Sequence, residues 1–75
     1  MDYRRFESFC NSFPSGYLKP WKSFSIWNTI ENDMPQIKDD EKCLLEYLRN
    51  CLAMEGFVEA DIKTIAIYVA LNGEI

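Results

Sequence analysis

The chain contains no histidine, no Cys-x-x-Cys pair, no glycine-rich phosphate loop and no Gly-x-Ser-x-Gly sequence. Histidine is the side chain most often used for acid-base catalysis near neutral pH, and the missing motifs typify redox, phosphate-binding and acyl-transfer sites. The sequence therefore favours a small non-enzymatic protein that acts through its surface. It predicts no catalytic residue, no cofactor and no metal ligand.

Long apolar runs are also missing. Met1 is followed at once by charged residues, and no stretch approaches the roughly 18 apolar residues that a membrane span needs. The three cysteines, Cys10, Cys43 and Cys51, form an odd set with no secretory leader before them. These features predict a reduced, cytoplasmic setting, in which Cys43 and Cys51 pack as small apolar residues on one helix.

What the chain does contain is a high share of aromatic residues. Five Phe, four Tyr and two Trp occur in 75 residues that are 48% hydrophobic. A chain of this length forms one domain and buries only about 60% of its unfolded surface. We therefore expect a single domain over residues 1–75 with a dense aromatic core, and some aromatic rings left at the surface as contact sites.

Charge is distributed unevenly along the chain. Residues 1–22 hold four basic and two acidic groups, whereas residues 23–75 hold four basic and ten acidic groups, so the two parts carry +2 and −6. The net charge of −4 argues against nucleic acid as a direct ligand, because phosphate neutralisation needs clustered Lys and Arg.

The first predicted helix begins near Asp2, a good N-cap, and ends at Pro14. Its apolar stripe has the spacing i, i+3, i+4 and i+7 and consists of Phe6, Phe9, Cys10 and Phe13. Residues 14–20 contain two prolines and a glycine, which predicts an ordered turn.

Residues 21–33 fit two patterns. Ile26, Trp27 and Ile30 have helical spacing, but alternation with Ser and Thr also fits a strand. We favour a helix, because a lone strand would lack a partner and Pro20 suits a first helical position.

Two further helices follow, and acidic residues at 39–41 and 59–61 mark their starts. The stripe of the third helix is Leu44, Leu48, Cys51 and Leu52, with Gly56 as its stop; the stripe of the fourth is Ile62, Ile65, Ala66 and Val69, ending at Asn72-Gly73. Ile67, Tyr68 and Leu71 lie off that stripe, so the fourth helix is either central or carries an exposed apolar patch.

These patterns predict an all-α fold, a compact single-domain bundle of about four short helices with an aromatic-rich core. An early aromatic cluster (Phe6, Phe9, Phe13), an acidic helix end before Met34-Pro35, and Tyr47-Leu48 further on resemble the small YozE-like family of helical domains. The resemblance implies a sterile-alpha-motif-like interaction domain and covers most of the chain.

Aromatic and basic side chains flank the proline turn. Tyr, Trp and Arg are enriched in protein-binding hot spots, so we expect a partner-binding surface here, whereas Trp27 is expected in the core. The predicted binding residues are Tyr3, Arg4, Tyr17, Lys19, Trp21 and Lys22. The partner is expected to be another protein that this chain recruits or inhibits, and a phage or mobile-element product acting on host nucleic-acid-handling or defence proteins would suit its size and acidity.

Two alternatives stay open. The first is nucleic-acid binding through the basic N-terminal part, which contains Arg4, Arg5, Lys19 and Lys22. The second is self-association through the apolar helix Ile62–Leu71.

Overall fold

The computed structural model describes residues 3–73, and over this range the chain is helical with no β-strand. The four α-helices are α1 (Tyr3–Asn11), α2 (Pro20–Asn28), α3 (Glu41–Leu52) and α4 (Glu59–Ala70). A π-helical turn (Thr29–Asp33) continues α2, and short 3-10 helices (Pro35–Asp39 and Ala53–Glu55) flank α3. The prediction of an all-α bundle of four short helices is confirmed.

Helix α1 lies against both α2 and α4 through aromatic rings. Phe6 is fully buried and its ring centroid lies 5.2 Å from that of Trp27 in α2. Phe9 stacks on Tyr68 of α4 with centroids 4.0 Å apart. The predicted stripe is therefore correct, although the helix ends at Asn11, before Phe13. The predicted N-cap, Asp2, lies outside the described residues.

The turn after α1 is held by side-chain hydrogen bonds. The Asn11 amide donates to the Leu18 carbonyl (3.0 Å) and accepts from the Leu18 N–H (2.7 Å), and Leu18 is completely buried. At Gly16 the ring of Phe57 lies so close that a Cβ would sit 2.5 Å from it. The prediction of an ordered turn over residues 14–20 is confirmed.

Residues 20–28 are helical, so the strand alternative is wrong and the helix prediction is confirmed. Pro20 occupies the first turn as expected, and the buried Ser23 hydroxyl donates to its carbonyl (2.9 Å). Ile26 and Trp27 are both buried, which confirms Trp27 as a core residue. The helix forms because its apolar residues match a helical face that α1 covers.

Helix α3 begins at a side-chain cap. The Asp40 carboxylate accepts a hydrogen bond from the Cys43 N–H (3.1 Å), which lowers the pKa of Asp40, and Leu44, Leu48 and Leu52 are buried. The expectation that Cys43 packs as an apolar residue is wrong, because Cys43 is exposed; Cys51 is half-buried and packs against the core. Eight residues at 3.6 per turn rotate by about 80° beyond two full turns, so the two thiols point in different directions.

Helices α3 and α4 run antiparallel. Arg49 near the end of α3 binds Glu59 at the start of α4 (2.6 Å and 2.9 Å), while Lys38 just before α3 donates to Asn72 just after α4 (2.8 Å). The connecting turn uses Gly56 at φ 96°, a conformation that favours glycine.

Helix α4 serves both roles that its sequence left open. The predicted stripe is buried, and Tyr68 is buried beside it. Ile67 and Leu71, however, are 56% and 49% exposed. This helix therefore supplies part of the core and also leaves an apolar patch at the surface. Across residues 3–73 no helix has the length and apolar composition needed to cross a bilayer.

Candidate functional site

Large apolar side chains reach the surface in three places within residues 3–73. They are Trp21 and Phe24 on α2, Tyr17 with Met54 and Val58 at the turn before α4, and Ile67 with Leu71 on α4. A small protein leaves some apolar area exposed, so single residues need no explanation. Neighbouring exposed residues are more informative, because contiguous apolar patches mark binding sites.

The first place, together with Tyr3 of α1, is what we call the aromatic surface (Tyr3, Trp21 and Phe24). Trp21 and Phe24 are three residues apart on α2 and therefore lie on one helix face, 66% and 52% exposed. Tyr3 on α1 meets the Phe24 ring edge to face, with centroids 5.2 Å apart and planes at 87°. Two helices thus contribute rings to one surface.

Two cations lie over rings of the aromatic surface. The Arg4 guanidinium carbon is 5.9 Å from the centre of the Tyr3 ring, and Lys22 Nζ is 5.8 Å from the centre of the Trp21 ring. Such cation–π contacts contribute about 0.5–1 kcal/mol at exposed sites. They hold positive charge at the rim of an apolar patch.

The other two predicted binding residues have different surroundings. Lys19 is exposed, and its carbonyl accepts the N–H groups of Lys22 and Ser23 at the start of α2. The Tyr17 N–H donates to the carbonyl of Glu55 (3.5 Å), which ties this part of the chain to the turn before α4. Tyr17 is 59% exposed. The structure therefore links Tyr3 with Arg4 and Trp21 with Lys22, whereas the Tyr17 backbone belongs to a second location.

Phe24 was missed as a binding residue. Its position three residues after Trp21, in a helix that begins at Pro20, was the signal that places both rings on one face. The competing strand pattern hid this signal, because alternation puts residues 21 and 24 on opposite faces.

The four basic residues near the N-terminus do not share one direction. Arg4 lies over Tyr3, but the charge of Arg5 acts on the hydroxyl of Tyr68 in α4. Burial raises the pKa of Tyr68, and Arg5 opposes that rise. Adjacent helical residues diverge by about 100°, which separates the two arginines.

A second candidate site is a groove between α3 and α4 with a volume of about 570 Å³. Its lining is mostly apolar and comprises Leu44, Leu45, Ala66, Ile67, Ala70 and Leu71, with Lys38, Asp39, Glu41 and Lys63 at the rim. We call it the α3–α4 groove.

Two of the cysteine thiols, those of Cys10 and Cys43, are poorly suited to act as nucleophiles or metal ligands. Burial raises the pKa of the Cys10 thiol to about 12, and the neighbouring Asp40 raises the pKa of Cys43. Both shifts reduce the thiolate that would act as nucleophile or metal ligand. Residues 3–73 hold no group of three or more Cys, Asp or Glu side chains arranged for a metal ion.

Comparison with protein-family models, with curated proteins and with solved structures finds no match to this chain.

Proposed function

We propose that this protein binds another protein through the aromatic surface, with Trp21 as the central contact. The observation that carries the proposal is the exposure of Trp21 and Phe24 side by side on α2, next to Tyr3 of α1. Trp and Tyr supply large, rigid contact area and dominate measured binding hot spots.

The aromatic surface is presented on a rigid support. Ile26 and Trp27, on the core-facing part of α2, are 2% and 4% exposed, and Trp27 packs on Phe6. Because the helix is anchored in the core, little backbone conformational entropy is lost when a partner covers Trp21 and Phe24. Preorganisation of this kind increases affinity without new contacts.

The charges beside the aromatic rings indicate what kind of surface a partner would present. Arg4 and Lys22 place two positive charges beside the rings. A partner with an apolar pocket bordered by carboxylates would match both features, since complementary charge raises the association rate and orients the complex.

The experiment is affinity capture with the tagged protein from a lysate of the cells that express it, with and without nuclease. The test variant is Trp21→Ala/Phe24→Ala, and the matched control is Met54→Ala/Val58→Ala, which removes side chains of similar exposure at another place. We expect one protein partner that survives nuclease, is lost in the test variant and is retained in the control. A partner retained equally by both variants would contradict the proposal.

The same surface supports a second candidate function, the binding of single-stranded nucleic acid. Bases stack on exposed aromatic rings, and Arg4 and Lys22 lie next to such rings. The divergence of Arg5 and the net charge of −4 favour the protein partner. The two functions differ in salt dependence, because affinity for phosphates falls steeply with salt. Capture that disappears on nuclease treatment would support nucleic acid instead.

A further inference from the structure

The α3–α4 groove is an apolar surface separate from the aromatic surface. Its apolar stripe on α4 consists of Ile67, Ala70 and Leu71, at positions i, i+3 and i+4, beside the buried stripe that faces the core. Ile67 and Leu71 are about half exposed, and the small Ala70 lets another helix approach closely. The helix thus has a second apolar face that the described residues do not cover.

Charges at the two ends of the groove have opposite signs. Lys63 lies one turn before Ile67 on α4, and Asp39 and Glu41 lie at the start of α3. Lys38 lies at the same end as Asp39 and Glu41, where its charge is compensated by the ion pair with Glu31. Because the helices are antiparallel, the start of α3 is near the end of α4, so the acidic end is close to Leu71. Lys63 and Leu71 are separated by about 12 Å along the helix axis, at 1.5 Å per residue.

Lys63, Asp39 and Glu41 take part in no ion pair within residues 3–73. The two ion pairs in the described chain join Lys38 to Glu31 and Arg49 to Glu59. Lys63, Asp39 and Glu41 are exposed, so another molecule can reach them. The pKa of Glu59 is lowered chiefly by its hydrogen bond with Arg49 and to a smaller extent by the charge of Lys63.

We propose that the occupant of the groove is a second copy of this chain, packed through α4 about a two-fold axis near Ile67. Lys63 lies four residues before Ile67, and Leu71 lies four residues after it. In an antiparallel pair about Ile67, the Lys63 of one copy therefore faces the Leu71 end of α4 in the other copy. Each Lys63 then meets the acidic end of the other groove, and the two Ile67 side chains meet at the axis. A two-fold interface uses one patch twice, so it requires this self-complementary charge.

The area that the dimer covers limits its strength. Stable interfaces bury about 800 Å² on each partner, and the whole described surface of this chain is 4567 Å². Ten residues line the groove, fewer than the roughly 20–30 that each side of a stable interface contributes. The dimer is therefore a weak one, formed reversibly as concentration rises.

The test is sedimentation equilibrium from about 10 µM to about 1 mM, the range in which a weak dimer forms. We expect the mass to rise from 8.8 kDa toward twice that value. Lys63→Glu and Glu41→Lys should each stay monomeric, because like charges then oppose one another at both ends of the interface. Trp21→Ala, which lies outside the groove, should leave the mass curve unchanged, so this test is independent of the proposed function.

Mixing the two charge variants is the decisive measurement. In a mixed dimer the carboxylate that Lys63→Glu introduces in one chain faces the ammonium group that Glu41→Lys introduces in the other. The native contact between Lys63 and Glu41 forms at the opposite end of the interface. Dimerisation should therefore return in the mixture and stay absent in each variant alone.

Ile67→Lys should be monomeric in every mixture, because it places a charge at the axis of the interface. A wild-type chain that is monomeric up to about 1 mM, or dimers that persist in both single charge variants, would overturn the proposal. Helical circular dichroism checks that each variant is folded.

Discussion

The two halves of the bundle use different side chains to build the same core. Residues 3–28, with α1 and α2, hold eight of the eleven aromatic residues and a net charge of +3, from four basic groups and one acidic group. Residues 41–70, with α3 and α4, hold three aromatic residues and a net charge of −2, from three basic and five acidic groups. The first half stacks rings, and the second packs aliphatic side chains.

This difference in side-chain type explains which residues each half leaves exposed to solvent. Large rings cannot all be enclosed in so small a core, so Trp21 and Phe24 remain exposed while Phe6 and Trp27 are buried. In α3 and α4 the stripe residues Leu44, Leu48 and Ile65 are enclosed, whereas Ile67 and Leu71 remain about half exposed. We thus propose partner binding for the aromatic half and weak self-association for the aliphatic half.

The largest expected effect compares two residues of α4. Ile65 is completely buried and Ile67 is 56% exposed. Ile65→Ala removes core contacts and leaves a cavity, so it should lower the free energy of unfolding by about 2–5 kcal/mol. Ile67→Ala should change it by no more than about 0.5 kcal/mol. Urea unfolding of both variants measures the difference, and equal effects would show that the aliphatic half is packed differently.

The next effect tests the contact between the halves. Gly16→Ala would place a Cβ 2.5 Å from the ring of Phe57, which is itself buried. Relief of this clash requires the ring or the turn to shift, at a cost of about 1–3 kcal/mol. Thermal unfolding checks this expectation. An unchanged melting temperature would mean that the turn after α1 does not pack tightly against Phe57.

A smaller effect is expected on the aromatic surface. Trp21→Ala/Phe24→Ala removes exposed rings and one edge-to-face contact with Tyr3, so it should lower the free energy of unfolding by no more than about 1 kcal/mol. Trp27→Ala, three residues beyond Phe24, removes a buried ring and should cost about 3–5 kcal/mol. If the double variant destabilised the fold as much as Trp27→Ala, the exposed rings would be structural, and the assignment of binding to this half would fail.

The smallest effect concerns acid stability at the start of α3. The Cys43 N–H holds the pKa of Asp40 below its usual value, so the stabilisation is complete above the unfolded-state pKa of about 3.9 and is lost as pH falls through the folded value. Asp40→Asn keeps a capping oxygen but does not titrate. Its melting temperature should match wild type at neutral pH and fall less on acidification. Identical acid profiles would contradict the capping role.

Much of this architecture was predictable from local pattern. Leu44, Leu48 and Leu52 repeat at helical spacing, and the acidic residues before them mark the start of α3. The 3-10 helix Pro35–Asp39 had no such signal, because it has a single buried residue, Ile37, and one residue forms no periodic pattern. Tertiary placement of this kind does not appear in local periodicity.

The site was only partly predictable for the same reason. Composition and the proline turn pointed to Tyr3, Trp21 and their cations, but Phe24 joins them through a contact between α1 and α2. Arg5 was grouped with Arg4 by sequence, yet the two side chains diverge by about 100° around α1. Burial raises the pKa of Tyr68, and the charge of Arg5 opposes that rise. The exposure of Cys43 likewise follows from its angle on α3, which eight-residue spacing does not preserve.

The measurement that tests the central claim most directly is photo-crosslinking in the cells that express the protein. The photoreactive amino acid benzoylphenylalanine would replace Trp21 in one sample and Met54, which is more exposed at 78%, in another. We expect a defined protein adduct from position 21 that resists nuclease and is absent from position 54. Absence of an adduct at position 21, or the same adducts from both positions, would contradict a partner-binding role for the aromatic surface.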